Sequence, residues 1–406
     1  MSTVSENTTK ITKYELFGKL PNPFIFNDGT TVKTTDDWQK RRAELYEKTV
    51  DLQFDGMPPE PEFLEVEPVC YGGADIFKII TGTRKSPVTF NMYHFKPISG
   101  RTDAPVIISG DMCFPRFFKT DLVKTVTDND INLVLFNRTE LAPDIASYDL
   151  RPEDNNRNKF GREILACLET GNCGGQLKAA YPDSTFSATS AWAWGYSRCV
   201  DALEILGVVD LNMIAFTGHS RGAKTAALAG AVDERAKIVN PNATCCGGYS
   251  GYRMYIEAEN VDGVVKPSER LDNIFNLFPA WMGQGMKQYI GNEQNLPFDS
   301  HDFKAMIAPR VLFVSEGAHD IWGNPVGSYQ TTIAAKEVYK FLGCEENLIW
   351  YFRPGGHDQT PEDMEQLVNV IKHIKNGEPL NDKFFKRPFK EPESAYDWKA
   401  PENLSL

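Results

Sequence analysis

The stretch Met213-Ile-Ala-Phe-Thr-Gly218-His-Ser220-Arg-Gly222-Ala-Lys224 turns an apolar run into an Ala-rich segment through Gly-x-Ser-x-Gly. Met213 to Thr217 has the unbroken apolarity of a strand covered on both faces. Downstream, Ala223, Ala226, Ala227, Gly230 and Ala231 supply small residues where a helix must pack closely on a sheet, and the helix closes near Asp233-Glu-Arg. A turn this tight between strand and helix strains the dihedrals of the serine, while the flanking glycines let two backbones approach. The stretch therefore predicts a nucleophile elbow, with the Ser220 hydroxyl held clear of the sheet.

Composition narrows what such an elbow serves. At 406 residues with 41% hydrophobic and 12% aromatic content, the chain can bury a sizeable core in one large or two modest domains. The formal net charge of -12 and the lack of a Lys/Arg cluster exclude nucleic acid as a partner. No apolar run reaches membrane-spanning length, and the first residues have neither a basic nor an apolar leader region, so no membrane role and, for the chain as given, a cytoplasmic location are expected. The eight cysteines, at 70, 113, 167, 173, 199, 245, 246 and 344, form no C-x-x-C pair and read as buried thiols. A disulfide involving Cys167 and Cys173 is an option only for an exported chain.

The rest of the pattern is a succession of strands and helices. Residues 1–60 read as a Pro-punctuated arm that wraps the core around one amphipathic helix, Thr35 to Thr49. From Asp75 come strands at Ile76 to Thr81, Val88 to Phe95, Val106 to Ser109 and Leu133 to Phe136, with a helix near Phe117 to Val126 before the last of these. A helix from Ala191 to Leu206 leads into the elbow strand. After it follow a strand ending at Cys245-Cys246, the strand Val311 to Ser315, the helix Tyr329 to Leu342, the strand Leu348 to Phe352 and the helix Pro361 to Ile374. This alternation predicts one α/β catalytic domain over 61–377, a three-layer α/β-hydrolase sandwich with a mostly parallel central sheet and an open surface cleft. Long irregular insertions at about 138–185 and 247–308 are expected to frame the cleft, and residues 378–406 to form a surface tail.

A serine nucleophile needs a base for its proton and a carboxylate that fixes the base's tautomer. In this fold the partners follow the serine in the order acid, histidine, each on a loop after a strand. Of six histidines, His357 in Arg353-Pro-Gly355-Gly356-His357-Asp358 lies directly after the strand Leu348 to Phe352. The acid belongs to the loop after Val311 to Ser315, where Asp320 is favoured over Glu316, which stands so close to the strand end that it points away. The pairs His301-Asp302, His319-Asp320 and His357-Asp358 suggest a metal, yet no short-range ligand pair such as H-E-x-x-H is present, and no metal or organic cofactor is expected. Arg221 and Lys224 are cations at the start of a helix, where the dipole disfavours them. The Arg221 backbone N–H belongs to the oxyanion hole and its guanidinium places a fixed charge beside it, while Lys224, one turn on, rises on the same side as a donor to substrate hydroxyls.

Gly218-His-Ser220-Arg221-Gly-Ala-Lys224 resembles the G-x-S-R-x-G-K elbow of the glucuronoyl esterases, carbohydrate esterase family fifteen. Ser190-Ala-Trp192-Ala-Trp194-Gly-Tyr-Ser-Arg resembles the Trp-rich helix before that elbow, and Asp37-Trp38-Gln-Lys-Arg41-Arg42-Ala-Glu44 the family's D-W-x-x-R-R-x-E segment. Asp320-Ile-Trp322-Gly-Asn-Pro325, Phe278-Pro-Ala-Trp281 and Leu296-Pro-Phe-Asp299-Ser-His301 are similar to its D-x-W-x-x-P, F-P-x-W and L-P-x-D-x-H segments. The chain departs from the pattern at Ala223, where the elbow has Gly. It departs again at Cys245-Cys246, where one branch of the family takes its acid from a Glu.

The resemblance implies a bacterial-type serine esterase, a monomer acting on esters of (4-O-methyl-)glucuronate on glucuronoxylan, often with lignin alcohols. It implies Ser220 as nucleophile, His357 as base, Asp320 as acid and Arg221 for the oxyanion, with Lys224, Glu269 and Trp322 for the sugar. Export to the periplasm or medium is also implied if a leader has been trimmed. An acetyl xylan esterase on the same triad and a non-catalytic carbohydrate-binding relative are the alternatives.

Overall fold

The computed structural model describes residues 10–405 apart from 116, 118–120, 150–158, 261 and 391–392. In chain order its strands are β1 (Lys10–Leu16), β2 (Phe63–Cys70), β3 (Asp75–Gly82), β4 (Pro87–Phe95), β5 (Val106–Ser109) and β6 (Asn132–Phe136). There follow β7 (Ile214–His219), β8 (Ile238–Asn242), β9 (Met254–Glu259), β10 (Val265–Pro267), β11 (Val311–Gly317) and β12 (Leu348–Arg353). Nine of them form one sheet in the order β12-β11-β8-β7-β5-β6-β4-β3-β2. From β6 to β12 every neighbouring pair is parallel, whereas β4, β3 and β2 extend the sheet antiparallel.

Burial along the strands follows from this topology. Every residue of β5, β6, β7, β8 and β11 is buried, as parallel strands covered on both faces require, while β3 and β4 alternate between core and partly exposed positions. One apolar cluster packs Trp192, Val200, Ala226 and Val338, from the helices Ala188–Leu206, Arg221–Val232 and Pro325–Phe341, on one face. A second cluster packs Leu122, Val126, Met364 and Leu367, from the helices Leu122–Thr127 and Pro361–Asn376, on the other. The result is the three-layer α/β-hydrolase arrangement expected from the alternation.

Several elements differ from the sequence reading. The strand expected to end at Cys245-Cys246 stops at Asn242, because Ala243 (φ 52°) and Cys245 (φ 59°) adopt left-handed backbone that no strand accommodates. The helix after Thr34 ends at Tyr46 and continues as a π-helical turn, Glu47–Leu52. Of the helix expected near Phe117 to Val126, Phe117 and Leu122–Thr127 are helical, and 116 and 118–120 lie outside the described residues. Edge strand β2 was not anticipated, since Glu65, Glu67 and Pro68 hide its pattern; these are devices that protect an exposed edge.

The span 247–308 contributes β9 and β10, which join β1 in a separate antiparallel sheet ordered β1-β9-β10. After Gly377 the chain first buries Phe384 in the cluster of Phe313 and Tyr351, then Phe389 against Ile256 and Ala258 of β9 and Ala395 beside Met254, and the Trp398 indole donates to the Leu20 carbonyl at 2.9 Å. Among the described residues no helix is long and apolar enough to cross a membrane.

Candidate active site

The elbow has the strain that its sequence implies. Ser220 sits at φ 58°, ψ -121° between β7 and the helix Arg221–Val232, a conformation that costs a non-glycine residue of the order of 1–3 kcal/mol. Both glycines are sterically obligatory. A Cβ on Gly218 would lie 2.3 Å from the Gly222 carbonyl oxygen, and one on Gly222 would lie 2.0 Å from the Asp111 carboxylate. Asp111 accepts from the His219 N–H at 2.8 Å and pairs with Arg138, both side chains fully buried, so the turn is braced from beneath. Gly218→Ala is expected to destabilise the fold by about 2–3 kcal/mol, because backbone and not a mobile side chain is in the way. Chemical denaturation measures this, and a cost under about 1 kcal/mol would mean that the turn is looser than its geometry.

Three loops at the carboxyl ends of β7, β11 and β12 bring Ser220, Asp320 and His357 together. Ser220 Oγ is 2.9 Å from His357 Nε2, and His357 Nδ1 is 2.6 Å from Asp320 Oδ2. Asp320 is almost wholly buried, whereas the His357 side chain is 32% exposed and faces the open surface. The Asp320 and His357 loops are laced to each other: Ala318 N–H donates to the Arg353 carbonyl at 2.8 Å and His319 N–H to the Gly355 carbonyl at 2.9 Å. A Cβ on Gly317 would come within 2.4 Å of the Gly356 carbonyl, so this approach too needs glycine. Arg353, anchored on Asp363 at 2.8 Å, holds the Gly356 carbonyl at 3.1 Å and shapes the turn that presents His357.

Glu316 is not brought to His357. It is fully buried in β11, accepts from the Ser328 hydroxyl at 2.5 Å, and its Oε2 has no hydrogen-bond partner among the described residues. Burial pushes its carboxyl up to about 8, only partly opposed by Ser328 and by the Lys304 ammonium. A carboxyl held neutral at pH 7 is unsuited to stabilising an imidazolium.

The cations expected near the elbow are both held. The Arg221 guanidinium lies 4.6 Å from the Phe278 ring centroid and 4.4 Å from that of Trp281, two rings stacked 3.8 Å apart. Its Nη1 donates to both Asp144 carboxylate oxygens at 3.3 and 3.2 Å. Asp144 also accepts from Trp281 Nε1 at 3.0 Å and from Arg138 at 3.4 Å, so one chain of charges runs from beneath the elbow to Arg221. Lys224 is buried and pairs with Glu269 at 3.1 Å, and Glu269 is fixed by its own N–H, which donates to the Trp322 carbonyl at 3.0 Å. The Trp322 side chain stands more than a third exposed. Asp111, Arg138 and Asp144 were not singled out from the sequence, since no motif marks them and Asp144 falls in an aperiodic span.

The three His-Asp pairs do not form a common centre. His301 is buried and bonds the Pro21 carbonyl at 2.8 Å, and His319 Nδ1 accepts from the Gly355 N–H at 3.2 Å. Among the described residues, the group of His, Cys, Asp or Glu atoms close enough to share an ion is Cys245, Asp320 and His357.

Comparison with known proteins gives a consistent picture. Residues 170–343 match the family model described as glucuronyl esterase, fungi. The chain is 28% identical over 361 residues to the 4-O-methyl-glucuronoyl methylesterase of Schizophyllum commune, spanning 87% of this chain and 81% of that protein. The glucuronoyl esterase of carbohydrate esterase family 15 from Caldicellulosiruptor kristjansonii superposes with a TM-score of 0.79 at 25% identity, covering 95% of this chain and 98% of that one. The Hypocrea jecorina glucuronoyl esterase catalytic domain, at 23% identity, has the same fold, with a TM-score of 0.71 over 99% of this chain and all of its own.

Proposed function

The chain belongs to the glucuronoyl esterases, carbohydrate esterase family 15, and on that premise we propose that it hydrolyses esters of glucuronic and 4-O-methyl-glucuronic acid on glucuronoxylan or its oligosaccharides, including those formed with lignin alcohols. The observation that carries this reading is the Ser220–His357–Asp320 relay at hydrogen-bond distances beside two cations held in place. A solved protein of the same fold, a serine-to-alanine mutant of the Sporotrichum thermophile glucuronoyl esterase, is in complex with methyl 4-O-methyl-beta-D-glucopyranuronate.

In this reading His357 Nε2 takes the Ser220 proton as Oγ attacks the ester carbonyl of the uronate, and Asp320 stabilises the imidazolium that forms. The oxyanion is met by the Arg221 backbone N–H, which heads its helix where no intrahelical carbonyl is available, and by the Arg221 guanidinium. His357 then protonates the departing alcohol, and water, activated by the same imidazole, releases the glucuronate. Lys224 and Glu269 present charged partners to ring hydroxyls, and the exposed Trp322 offers an aromatic face to the pyranose. Every group comes from one chain, so a monomer suffices and no cofactor enters the cycle. A polymeric substrate would be met outside the cytoplasm, or inside it as imported fragments.

The test compares the benzyl ester of glucuronate with an acetate ester on xylan fragments or a chromogenic alcohol. Two or three uronate contacts at about 1–3 kcal/mol each give an expected kcat/KM advantage of roughly 10²-fold or more for the glucuronate ester. Turnover of the acetate alone would mean an acetyl esterase. Hydrolysis of neither would mean a carbohydrate-binding protein without catalysis.

A further inference from the structure

A thiol lies beside the acid–base pair, and ester hydrolysis makes no use of it. The left-handed backbone at Cys245 (φ 59°) turns its side chain under the His357 loop, where Sγ is 3.9 Å from His357 Nδ1. That nitrogen is the one Asp320 holds at 2.6 Å. Sulfur, imidazole nitrogen and carboxylate oxygen all lie within 4.8 Å of one another. Burial pushes the thiol well above its ordinary range, so it is neither a competing nucleophile nor a substitute acid.

Thiolate, imidazole and carboxylate form the donor set that Zn²⁺ and its soft congeners favour over Mg²⁺ or Ca²⁺. With Zn–S of about 2.3 Å and Zn–N of about 2.0–2.1 Å, two ligands on a tetrahedral ion stand roughly 3.5 Å apart. Cys245 Sγ and His357 Nδ1 are within a few tenths of an ångström of that separation, and Asp320 needs only to exchange its hydrogen bond for a metal bond. The partly exposed edge of His357 gives an ion its way in.

We propose that Cys245, His357 and Asp320 form an inhibitory site for a thiophilic divalent cation of the zinc class. Its inhibitory effect rests on the proposed triad. In the resting neutral imidazole, Nδ1 carries the hydrogen that faces Asp320, and Nε2 keeps the lone pair that receives the Ser220 proton. A cation takes the Nδ1 lone pair, the imidazole hydrogen then resides on Nε2, and the thiol releases its proton to solvent. Ser220 is left facing a donor and has no base. The cation sits at Nδ1, on the side of the imidazole away from the Nε2 that faces Ser220, so the loss is expected in kcat.

The experiment titrates the purified enzyme with Zn²⁺ and, separately, with Mg²⁺. Zn²⁺ is expected to abolish turnover reversibly, with recovery on adding a chelator, and Mg²⁺ at the same concentration to have no effect. Cys245→Ala and Cys245→Ser are each expected to raise the half-inhibitory Zn²⁺ concentration at least about tenfold, in line with the loss of one of three ligands. Co²⁺ supplies a readout independent of hydrolysis: a thiolate-to-cobalt charge-transfer band that forms in the parent chain and is missing in both variants. That band survives even if the substrate reading fails. Equal Zn²⁺ sensitivity of parent and variants, or no band in the parent, overturns the site; a band without loss of turnover overturns its inhibitory role.

Discussion

Ser220→Ala is expected to lower kcat on a glucuronate ester by about 10⁴–10⁶-fold with KM little changed, because it removes the proposed nucleophile and leaves the proposed oxyanion donors and sugar contacts in place. The same position allows a second, independent measurement. Ser220 holds φ 58°, ψ -121°, and alanine keeps the Cβ that makes this conformation costly. Ser220→Gly removes it. Elsewhere, exchanging alanine for glycine costs roughly 0.5–1 kcal/mol in chain entropy. Here relief of strain of about 1–3 kcal/mol opposes that cost. The Gly variant is therefore expected to be at least as stable as the Ala variant, by up to about 1–2 kcal/mol, while both are inactive. Calorimetry on the pair reads the sign. A Gly variant less stable by the ordinary glycine cost would mean that the elbow stores no strain, and substantial residual activity in either would remove Ser220 from the mechanism.

The legibility of this site followed the type of signal each residue left. The elbow was readable because its geometry demands glycine at two fixed offsets, and the contacts awaiting a Cβ at Gly218 and Gly222 show why. His357 and Asp320 were readable by order, since each follows an apolar strand and precedes a periodic helix. The parallel strands β5, β6 and β7 were readable because their buried residues are mostly apolar, whereas β8, buried but carrying Asn240, Pro241 and Asn242, was placed too late in the chain. What went unread lacks periodicity. Strand β2 carries charges and a proline along an exposed edge, and β1 gains its partner β9 only across about 240 residues of chain. Asp111, Arg138 and Asp144 act through a buried charge network in which each residue has meaning only beside the others. Cys245 was read as one more buried thiol, because a turn at left-handed φ aims it at His357 and no sequence pattern announces that turn.

Asp320→Asn should lower kcat by about 10³–10⁴-fold, and the local geometry says why a substitution this small does so much. The two carboxylate oxygens have different partners: Oδ1 accepts from the Gly323 N–H at 2.9 Å, and Oδ2 faces His357 Nδ1 at 2.6 Å. In asparagine only one of the two positions can be an acceptor. Gly323, a fixed backbone donor, claims the amide oxygen, which turns the NH₂ group toward His357. The imidazole must then accept at Nδ1 and carry its hydrogen on Nε2, the tautomer that cannot take a proton from Ser220. Glu316→Gln is the matched comparison. Its carboxyl is held neutral by burial and already receives the Ser328 hydroxyl, a bond that an amide oxygen accepts equally well. The effect on kcat is expected to stay within a few-fold, since no charge seen by His357 changes at pH 7. The two variants, assayed side by side at pH 7 with circular dichroism to confirm folding, separate the two acids cleanly: a large loss in Glu316→Gln with a mild one in Asp320→Asn would reverse the assignment, and comparable large losses would mean that the buried carboxyl beneath the strand is ionised after all and supports the acid loop.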